Sequence, residues 1–432
     1  MIEISAPSLI GQGSVDCDLS TAEVTAIVKE ALSPVDKGER VLAIIPDKTR
    51  DDNTHVLFPL AGEILKRQNI AQFDALVAQG THPTMTESQK RMKIGAVNGE
   101  IPGLGRIFDH QWDRPDELVK LAQLSSAQVG ALTDSLINEP VDIRLNALLA
   151  PGVYDTVLVF GATVPHEVAG FAGGAKYFFP GVAGPELTHM THWLGALATI
   201  ELVIGRVETP IRRMIEAAAE FVPARVISFT SVTTRDSSND EGLRTHALFA
   251  GDVKETLRAA AEISKQVHIK YTGRRYRRVV ALLDEHYDEL WVGGKASYKL
   301  GSIIEEGGEL IIYAPHLENI SATHGRLIEK YGYAPLETVR EMVEYSDELR
   351  ANLCVAAHLA HVSYGSSRNQ QGGIIPRYRI TLCSAVPEEV CRRVKLGYLD
   401  HQTFRREVYE ADPETLVVEH AGRDLYLVEP NI

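Results

Sequence analysis

Cysteine is scarce in this chain. Only four cysteines occur among 432 residues, at positions 17, 354, 383 and 391. They are too few and too widely separated for a disulfide framework or a CxxC metal site. We therefore expect four buried thiols in a reducing compartment.

Long apolar runs and an excess of basic residues are also absent. No stretch approaches the roughly 20 apolar residues that a membrane helix needs. The N-terminus lacks the basic segment and apolar core of a signal peptide. The formal net charge of −14 disfavours binding to nucleic acid or to anionic membranes. We expect a cytoplasmic protein whose partners include neither nucleic acid nor membrane.

Short β-branched runs alternate with helical patterns along most of the chain. Residues 252–269 predict a long helix, and Thr86 with Gln89 three positions later predicts a helix-capping box. The alternation predicts an α/β fold of two α/β domains with mainly parallel sheets and an active-site cleft between them. Strands of the first domain are predicted at 41–46, 73–79, 154–160, 198–205 and 224–232.

The domain boundaries follow from this pattern. We expect an N-terminal domain at 1–270 that binds the ligand and a C-terminal domain at 275–410 that closes over it. The basic cluster at 270–278 is interpreted as a solvated hinge. The β-rich tail at 413–432 could return to the first domain as an added strand. Strands of the second domain are predicted at 277–284, 288–294, 309–315 and 377–386, with a helix at 296–308.

Three polar loops each follow an apolar strand, at 47–53, 80–85 and 161–176. The carboxyl ends of parallel strands meet at one edge of a sheet, which is where ligands bind in open α/β folds. Asp47 and Arg50, in DKTR, could orient a neighbouring group and bind a carboxylate, or could form a helix cap beside a surface salt bridge. The position of His82, in GTHP, places it near whatever these loops bind.

The segment from Gly161 to Gly184 is unusually rich in glycine, and it also carries His166 and Lys176. Glycines such as Gly173 and Gly174 let a backbone approach a ligand and leave N–H groups free for phosphate or carboxylate oxygens. Tyr177 follows the lysine, so the segment does not fit a P-loop. Lys176 could bind phosphate or serve as a covalent attachment point; the alternative is an exposed lysine in a turn.

His189 and His192 lie three residues apart on a predicted helix, so they share a face as metal ligands can. No HExxH motif or nearby carboxylate supports a zinc site. Lys295 is expected at the end of a strand, where it and Arg50 could together neutralise a small anion. The other histidines have no such context; they include His55, His110, His246, His358 and His361.

Taken together, these motifs resemble those of the nickel-dependent lactate racemase family. DKTR resembles its D-x-T-R loop, GTHPTMTE its G-x-H-x-x-M-T-E segment, and FAGD at 249–252 its F-A-G-D. PHEVAGFAGGAKYFFPG resembles its P-H-x-x-A-G-F-x-G-G-x-K-x-x-x-P-G signature. The match spans roughly residues 40–315 in the family's order, and the long signature is the specific part.

The resemblance implies a nickel-pincer nucleotide, which is a pyridinium mononucleotide with two thiocarbonyl arms that bind Ni(II). On this analogy Lys176, beside Gly173 and Gly174, forms the thioamide link to the cofactor. His192 is the protein ligand to nickel. The other implied roles are acid/base catalysis for His82 and His166, carboxylate binding for Arg50 and Lys295, and orientation of His82 for Asp47.

The implied reaction is racemisation or epimerisation of a 2-hydroxy acid. Oxidation to a planar 2-keto acid, with hydride passing to the cofactor, and reduction on the other face inverts the carbon. The enzymes that build the cofactor are implied as partners. DELWVGG runs directly into Lys295, where lactate racemases carry a longer stretch with a Tyr-Gln pair. We therefore expect a substrate other than lactate, such as a sugar acid or a hydroxy-dicarboxylate.

Two other functions remain open from the sequence. One is a lyase or hydrolase that acts on a small anion, with Lys176 as a Schiff-base or phosphate residue and His189 and His192 on zinc. The other is a non-catalytic protein that binds a small anion. Intact mass and metal analysis separate the first from a racemase, because a pincer adduct adds a nucleotide-sized mass to the Lys176 peptide.

Overall fold

The computed structural model describes residues 8–97, 99–235 and 242–430. The chain divides into two compact units. Unit 1 comprises Met1–Thr191 and Arg206–Val267, and unit 2 comprises His192–Gly205 and His268–Ile432. None of the helices in the described ranges is long and apolar enough to cross a membrane.

Unit 1 is built on a seven-stranded, mainly parallel sheet with the order β1-β11-β10-β7-β2-β3-β4. Only β11 runs antiparallel to its neighbours β1 and β10. The hairpins β5–β6 and β8–β9 lie outside this sheet. The strands are β1 (Leu9–Gly13), β2 (Arg40–Pro46), β3 (Gln72–Ala78), β4 (Leu104–Asp109), β5 (Leu118–Leu124), β6 (Val141–Asn146), β7 (Thr156–Ala162), β8 (Pro165–His166), β9 (Gly170–Phe171), β10 (Arg225–Arg235) and β11 (Leu243–Gly251).

The helices of unit 1 pack apolar faces on this sheet. Val28 of α1 and Phe58 of α2 share a buried core with Ala43 of β2, because the central strands are apolar on both faces. Short 3-10 turns occur at Pro115–Glu117, Ala147–Leu149 and Gly174–Tyr177. The helices are α1 (Thr21–Ala31), α2 (Thr54–Arg67), α3 (Glu87–Lys93), α4 (Ser126–Leu132), α5 (Pro185–Ala198), α7 (Pro210–Ala219) and α8 (Val253–His268), and the unit boundary at Thr191/His192 falls within α5.

The predicted edge for ligand binding is present in unit 1. Strand β2 pairs in parallel with β3, with Pro46 opposite Ala78, and also with β7, with Ile44 opposite Val159. The loops that follow these three strands therefore begin at the same edge of the sheet. The capping box at Thr86 and Gln89 is also confirmed, and it starts α3 directly after the second of these loops.

Unit 2 contains a five-stranded, fully parallel sheet with the order β18-β17-β14-β13-β19. The α/β prediction is therefore confirmed in both units. Its strands are β12 (Ile269–Tyr271), β13 (Tyr276–Leu282), β14 (Ile304–Ala314), β15 (Ser366–Arg368), β16 (Ile374–Pro376), β17 (Arg379–Ser384), β18 (Gly397–Tyr398), β19 (Thr415–Val418) and β20 (Leu425–Leu427). Its helices are α6 (Ile200–Val203), α9 (Leu290–Gly293), α10 (Lys295–Leu300), α11 (Gly325–Tyr331), α12 (Leu336–Tyr345), α13 (Asp347–Arg350), α14 (Leu353–Ser363), α15 (Glu388–Arg393) and α16 (Arg406–Glu410), with 3-10 turns at Gly301–Ile303 and His401–Thr403.

Two predicted strands are wrong. Residues 198–205 contain the end of α5 and the short helix α6, whose Ile200 and Val203 are buried. Residues 288–294 contain α9, so Lys295 begins a helix rather than ending a strand. The predicted helix at 296–308 ends at Leu300 and gives way to β14. A short apolar run is compatible with either a buried strand or a buried helix, which explains the first two errors.

The boundaries of unit 2 also differ from the domain boundaries that the sequence predicts. In the tail, β19 pairs with β13 and β20 pairs with β12, so the described part of the tail, residues 413–430, adds strands to unit 2 and not to the first domain. The expected hinge at 270–278 contains parts of β12 and β13 and belongs to unit 2. Residues 192–205 belong to unit 2 as well, although they lie within the expected N-terminal domain.

Candidate active site

Asp47 directly follows β2, and its carboxylate contacts the loop that Asp47 begins. The backbone N–H and the hydroxyl of Thr49 both donate to Oδ1 of Asp47, at 2.8 and 2.6 Å. Asp47 is 3% exposed, so its orientation is fixed by these contacts and by packing. The D-x-T spacing produces this local arrangement, because a side chain two residues later can reach the carboxylate.

The other carboxylate oxygen of Asp47 contacts His82. Its Oδ2 lies 2.7 Å from Nδ1 of His82. Burial by itself raises the pKa of Asp47, but the charge and hydrogen bond of His82, together with Arg50 and Thr49, bring that pKa well below its ordinary value. An ionised carboxylate only accepts hydrogen bonds, so His82 donates through Nδ1–H and presents Nε2 as an acceptor when the ring is neutral.

The loop that carries His82 is held in place by its own backbone. The N–H of His82 donates to the carbonyl of Gln79, and the N–H of Gly80 donates to the carbonyl of Gly181. The second contact ties this loop to the end of the glycine-rich segment. The His82 side chain is 19% exposed, so its ring remains accessible to a small molecule.

His166 lies at the end of the two-residue strand β8 and is 6% exposed. The backbone N–H of Val168 donates to Nδ1 of His166 at 3.1 Å. An oxygen of Glu167 lies 3.4 Å from the same nitrogen. The contact with Val168 favours the neutral ring with its hydrogen on Nε2, which is the opposite tautomer from that of His82, whereas a carboxylate at Nδ1 favours the other tautomer. Nothing in the sequence distinguished Glu167 in advance, because it occupies a variable position of the motif.

Lys176 lies in the 3-10 turn Gly174–Tyr177, with part of its side chain accessible. Burial and the positive charge of Arg50 lower its pKa to about 7, although the carboxylates of Glu167 and Asp47 oppose this shift. Near neutral pH a large share of Lys176 is therefore an uncharged amine, which is the nucleophilic form. Arg50, Asp47 and Glu167 therefore all lie close enough to Lys176 for their charges to change its pKa.

A buried arginine donates hydrogen bonds to the backbone of the glycine-rich segment. Arg212 of α7 is 1% exposed and donates to the backbone carbonyls of Ala169, Phe171 and Gly173. Sequence reasoning missed this contact, since an arginine in an amphipathic helix normally indicates a solvated face. The segment before Lys176 therefore has a fixed path that does not depend on its glycines alone.

Two glycines of the segment are required by the fold itself. Gly173 has a φ of +95°, and a Cβ there would lie 2.8 Å from Oγ1 of Thr163. At Gly161 a Cβ would overlap the phenol of Tyr177. Packing thus accounts for both residues, and a direct role of Gly173 and Gly174 in cofactor binding stays a prediction.

The other two predicted site residues belong to unit 2. Lys295 begins α10, and its Nζ lies 5.2 Å from the ring centroid of Tyr287. His192 lies in the part of α5 that belongs to unit 2. The structure thus gathers Asp47, Arg50, His82, His166 and Lys176 in unit 1.

His192 has a histidine neighbour that the sequence did not single out. His358 is buried, its Nδ1 is 2.9 Å from the hydroxyl of Tyr298, and its Nε2 is 3.3 Å from that of Tyr333. Burial, with additional effects of His361, His324 and His192, holds the pKa of His358 well below its ordinary value. His358 is therefore neutral at physiological pH, and its ring belongs to a hydrogen-bonded aromatic cluster.

A zinc site built from protein side chains has no candidate in the described ranges. These residues contain no group of three or more His, Cys, Asp or Glu side chains that could hold a metal ion. His189 instead packs edge-on against Trp112 in unit 1, with 5.7 Å between ring centroids, and burial lowers its pKa.

Comparison with known proteins finds a family match to part of the chain and similar solved structures over most of it. Residues 20–201 match the family model described as the lactate racemase N-terminal domain. A protein from Thermotoga maritima is 29% identical, with a TM-score of 0.87 over 95% of this chain and 98% of that chain. The lactate racemase apoprotein from Thermoanaerobacterium thermosaccharolyticum is 17% identical, with a TM-score of 0.69 over 97% and 94% of the two chains. No curated protein matches.

Proposed function

We propose that this chain, whose residues 20–201 match the lactate racemase N-terminal domain, is an isomerase that inverts the 2-hydroxy carbon of a 2-hydroxy acid. The observation that carries the proposal is the contact between Asp47 and His82 at the same sheet edge as Lys176. A second histidine, His166, lies in the glycine-rich segment that also holds Lys176. The proposal includes a cytoplasmic location.

The residues fit a lysine-tethered nickel-pincer nucleotide. The amine of Lys176, with its pKa of about 7, is suited to forming the thioamide link, and the imidazole of His192 is a suitable nickel ligand. Because this cofactor would bind nickel through its own sulfur atoms, the metal needs few ligands from the protein. When bound, this group supplies the acceptor that takes the hydride from C2 of the substrate and returns it.

The chain's own residues bind the substrate and move its hydroxyl proton. Arg50 and Lys295 bind the carboxylate. In one direction Nε2 of His82 takes the hydroxyl proton of the substrate, and His166 supplies a proton to the keto oxygen when the other face is reduced; in the reverse direction the roles exchange. Asp47 stabilises the positive charge that His82 gains, because its carboxylate accepts the Nδ1–H in both protonation states.

A cavity beside Arg50 supports a substrate larger and more polar than lactate. It has a volume of about 320 Å³ and lies within unit 1. Four of its described lining side chains are cationic, and the two carboxylates pair with Lys93 and Arg235, so the remaining positive charge suits a substrate with a second polar or anionic group. The cations are Lys48, Arg50, Lys93 and Arg235, and the carboxylates are Asp51 and Asp52.

The test is chiral analysis of candidate acids after incubation in D2O with enzyme that was produced together with the cofactor biosynthesis enzymes. Each enantiomer of lactate and malate, and gluconate as a sugar acid, is incubated and its C2 configuration is measured. We expect inversion of malate or gluconate faster than of lactate, with protium retained at C2 because the hydrogen moves as hydride. Deuterium at C2 would instead indicate simple deprotonation.

Two results would contradict the proposal. If lactate turns over best, the expectation of a more polar substrate is wrong. If cofactor-loaded protein binds these acids without inverting any of them, and if His82→Gln and His166→Gln leave the binding unchanged, the chain is a binding protein for small anions.

A further inference from the structure

We propose that Glu167 is a positioning residue that makes His166 competent as an acid and a base by accepting a hydrogen bond from its Nδ1–H. The proposal rests on the isomerase function above and assigns a role to a residue beside its second histidine. Glu167 would thereby do for His166 what Asp47 does for His82.

Val168 and Glu167 both lie near Nδ1 of His166. The backbone N–H of Val168 lies 3.1 Å away and donates to it, while Oε2 of Glu167 lies 3.4 Å away. The Glu167 side chain is only 13% exposed, so its carboxylate is held near the ring. The first partner favours a bare Nδ1, and the second favours an Nδ1 that carries a hydrogen.

The reaction needs the second of these states. A neutral histidine can accept the substrate proton at Nε2 only if its hydrogen is on Nδ1. A histidine that donates from Nε2 must start as imidazolium, since loss of a proton from the neutral ring would leave an unstable anion. Nδ1 of His166 therefore carries a hydrogen in both catalytic states, and the N–H of Val168 cannot accept it.

Glu167 is the acceptor that the geometry provides. When the contact shifts from Val168 to Glu167, the ring hydrogen lies on Nδ1 and points at a carboxylate, and Nε2 has a free lone pair. The substrate O–H bond then breaks as the Nε2–H bond forms, and the imidazolium is stabilised by Glu167. Inversion in both directions requires two histidines of this kind, and Asp47 supplies the matching carboxylate only for His82.

The first test uses the cofactor-free protein and needs no activity. Nitrogen-15 NMR of histidine-labelled protein at pH 8.5 reports which nitrogen of the neutral His166 ring is protonated, with His166→Gln used for assignment. Because Val168 and Glu167 compete for Nδ1, we expect a wild-type signal between the protonated and bare-nitrogen positions, and a shift to the bare-nitrogen position in Glu167→Gln. Glu30→Gln, which removes an exposed carboxylate from α1, should match the wild type.

The second test uses cofactor-loaded enzyme in a single turnover with the two malate enantiomers, with acid quench and measurement of the 2-keto acid. Glu167→Gln should slow oxidation of the enantiomer whose hydroxyl proton goes to His166, by about 10²-fold or more. Asp47→Asn should slow the opposite enantiomer. Glu167→Asp, which keeps the charge, should recover part of the rate.

An unchanged Nδ1 signal in Glu167→Gln would overturn the proposal. Equal slowing of both enantiomers would also overturn it, because a general structural defect does not distinguish the two faces. If the wild type oxidises neither enantiomer of malate, lactate is used instead. If it oxidises neither acid, the isomerase function fails, while the NMR comparison still decides the role of Glu167 at His166.

Discussion

Nδ1 of His82 lies 2.7 Å from Oδ2 of Asp47, and the other oxygen of the same carboxylate accepts two hydrogen bonds from Thr49. The carboxylate therefore cannot rotate without losing three contacts. This arrangement fixes both the tautomer and the orientation of His82 before any substrate binds. The ring then needs no rearrangement to accept a proton at Nε2.

Replacement of Asp47 by Asn should reduce the turnover of the loaded enzyme strongly. An amide can present its NH2 group to Nδ1 and so move the ring hydrogen to Nε2, which abolishes the base. We expect kcat to fall by about 10²- to 10⁴-fold, with a small change in KM. Steady-state kinetics of Asp47→Asn are compared with those of Asp36→Asn, which changes an exposed residue before β2. A loss below about threefold would mean that the Asp47 contact is structural only.

Lys176 should react with acylating reagents at a lower pH than other lysines of the apoprotein. Its pKa of about 7 makes the fraction of neutral amine rise through neutral pH, whereas an ordinary lysine follows about 10.4. Peptide mass spectrometry after short acetic anhydride pulses gives the rate at each lysine. We expect a half-maximal rate at Lys176 near pH 7, shifted upward in Arg50→Gln because a nearby positive charge is removed. A midpoint near pH 10 would contradict this account.

Removal of the Arg212 side chain should destabilise unit 1. Arg212→Met removes the side-chain donor to three carbonyls of the glycine-rich segment, of which Gly173 keeps a backbone donor in Lys176. We expect the free energy of unfolding to fall by about 3 to 5 kcal/mol, measured by urea denaturation. Arg206→Met, at an exposed position shortly before α7, should change it by less than about 0.5 kcal/mol. Similar losses in both variants would rule out a specific role of Arg212 in holding the segment.

The sequence predicted the parts of unit 1 in which local patterns agree with tertiary packing. Strands β2, β3 and β7 are apolar runs bounded by polar loops, and helix α8 has a clear amphipathic period. Because these three strands are parallel, the loops that follow them lie at the same edge of the sheet. Asp47 and His82 could be placed together for this reason, although they lie 35 residues apart.

The features that sequence reasoning missed depend on long-range packing. Arg212 reaches carbonyls about 40 residues earlier in the chain, and no local pattern indicates that a helix arginine will be buried. Glu167 was not predicted because it occupies a variable position of the motif, and its proximity to His166 is visible only in the structure. The run at 198–205 was mistaken for a strand because its apolar residues fit a buried helix equally well.

The central claim is a covalent nickel cofactor on Lys176, and intact-mass and metal analysis test it most directly. The chain is produced with and without the cofactor biosynthesis enzymes, next to Lys176→Ala. The account predicts a nucleotide-sized mass increase on the Lys176 peptide and bound nickel only in co-produced wild-type protein. Co-produced wild-type protein with neither the added mass nor nickel, in a preparation where an established lactate racemase acquires both, would contradict it.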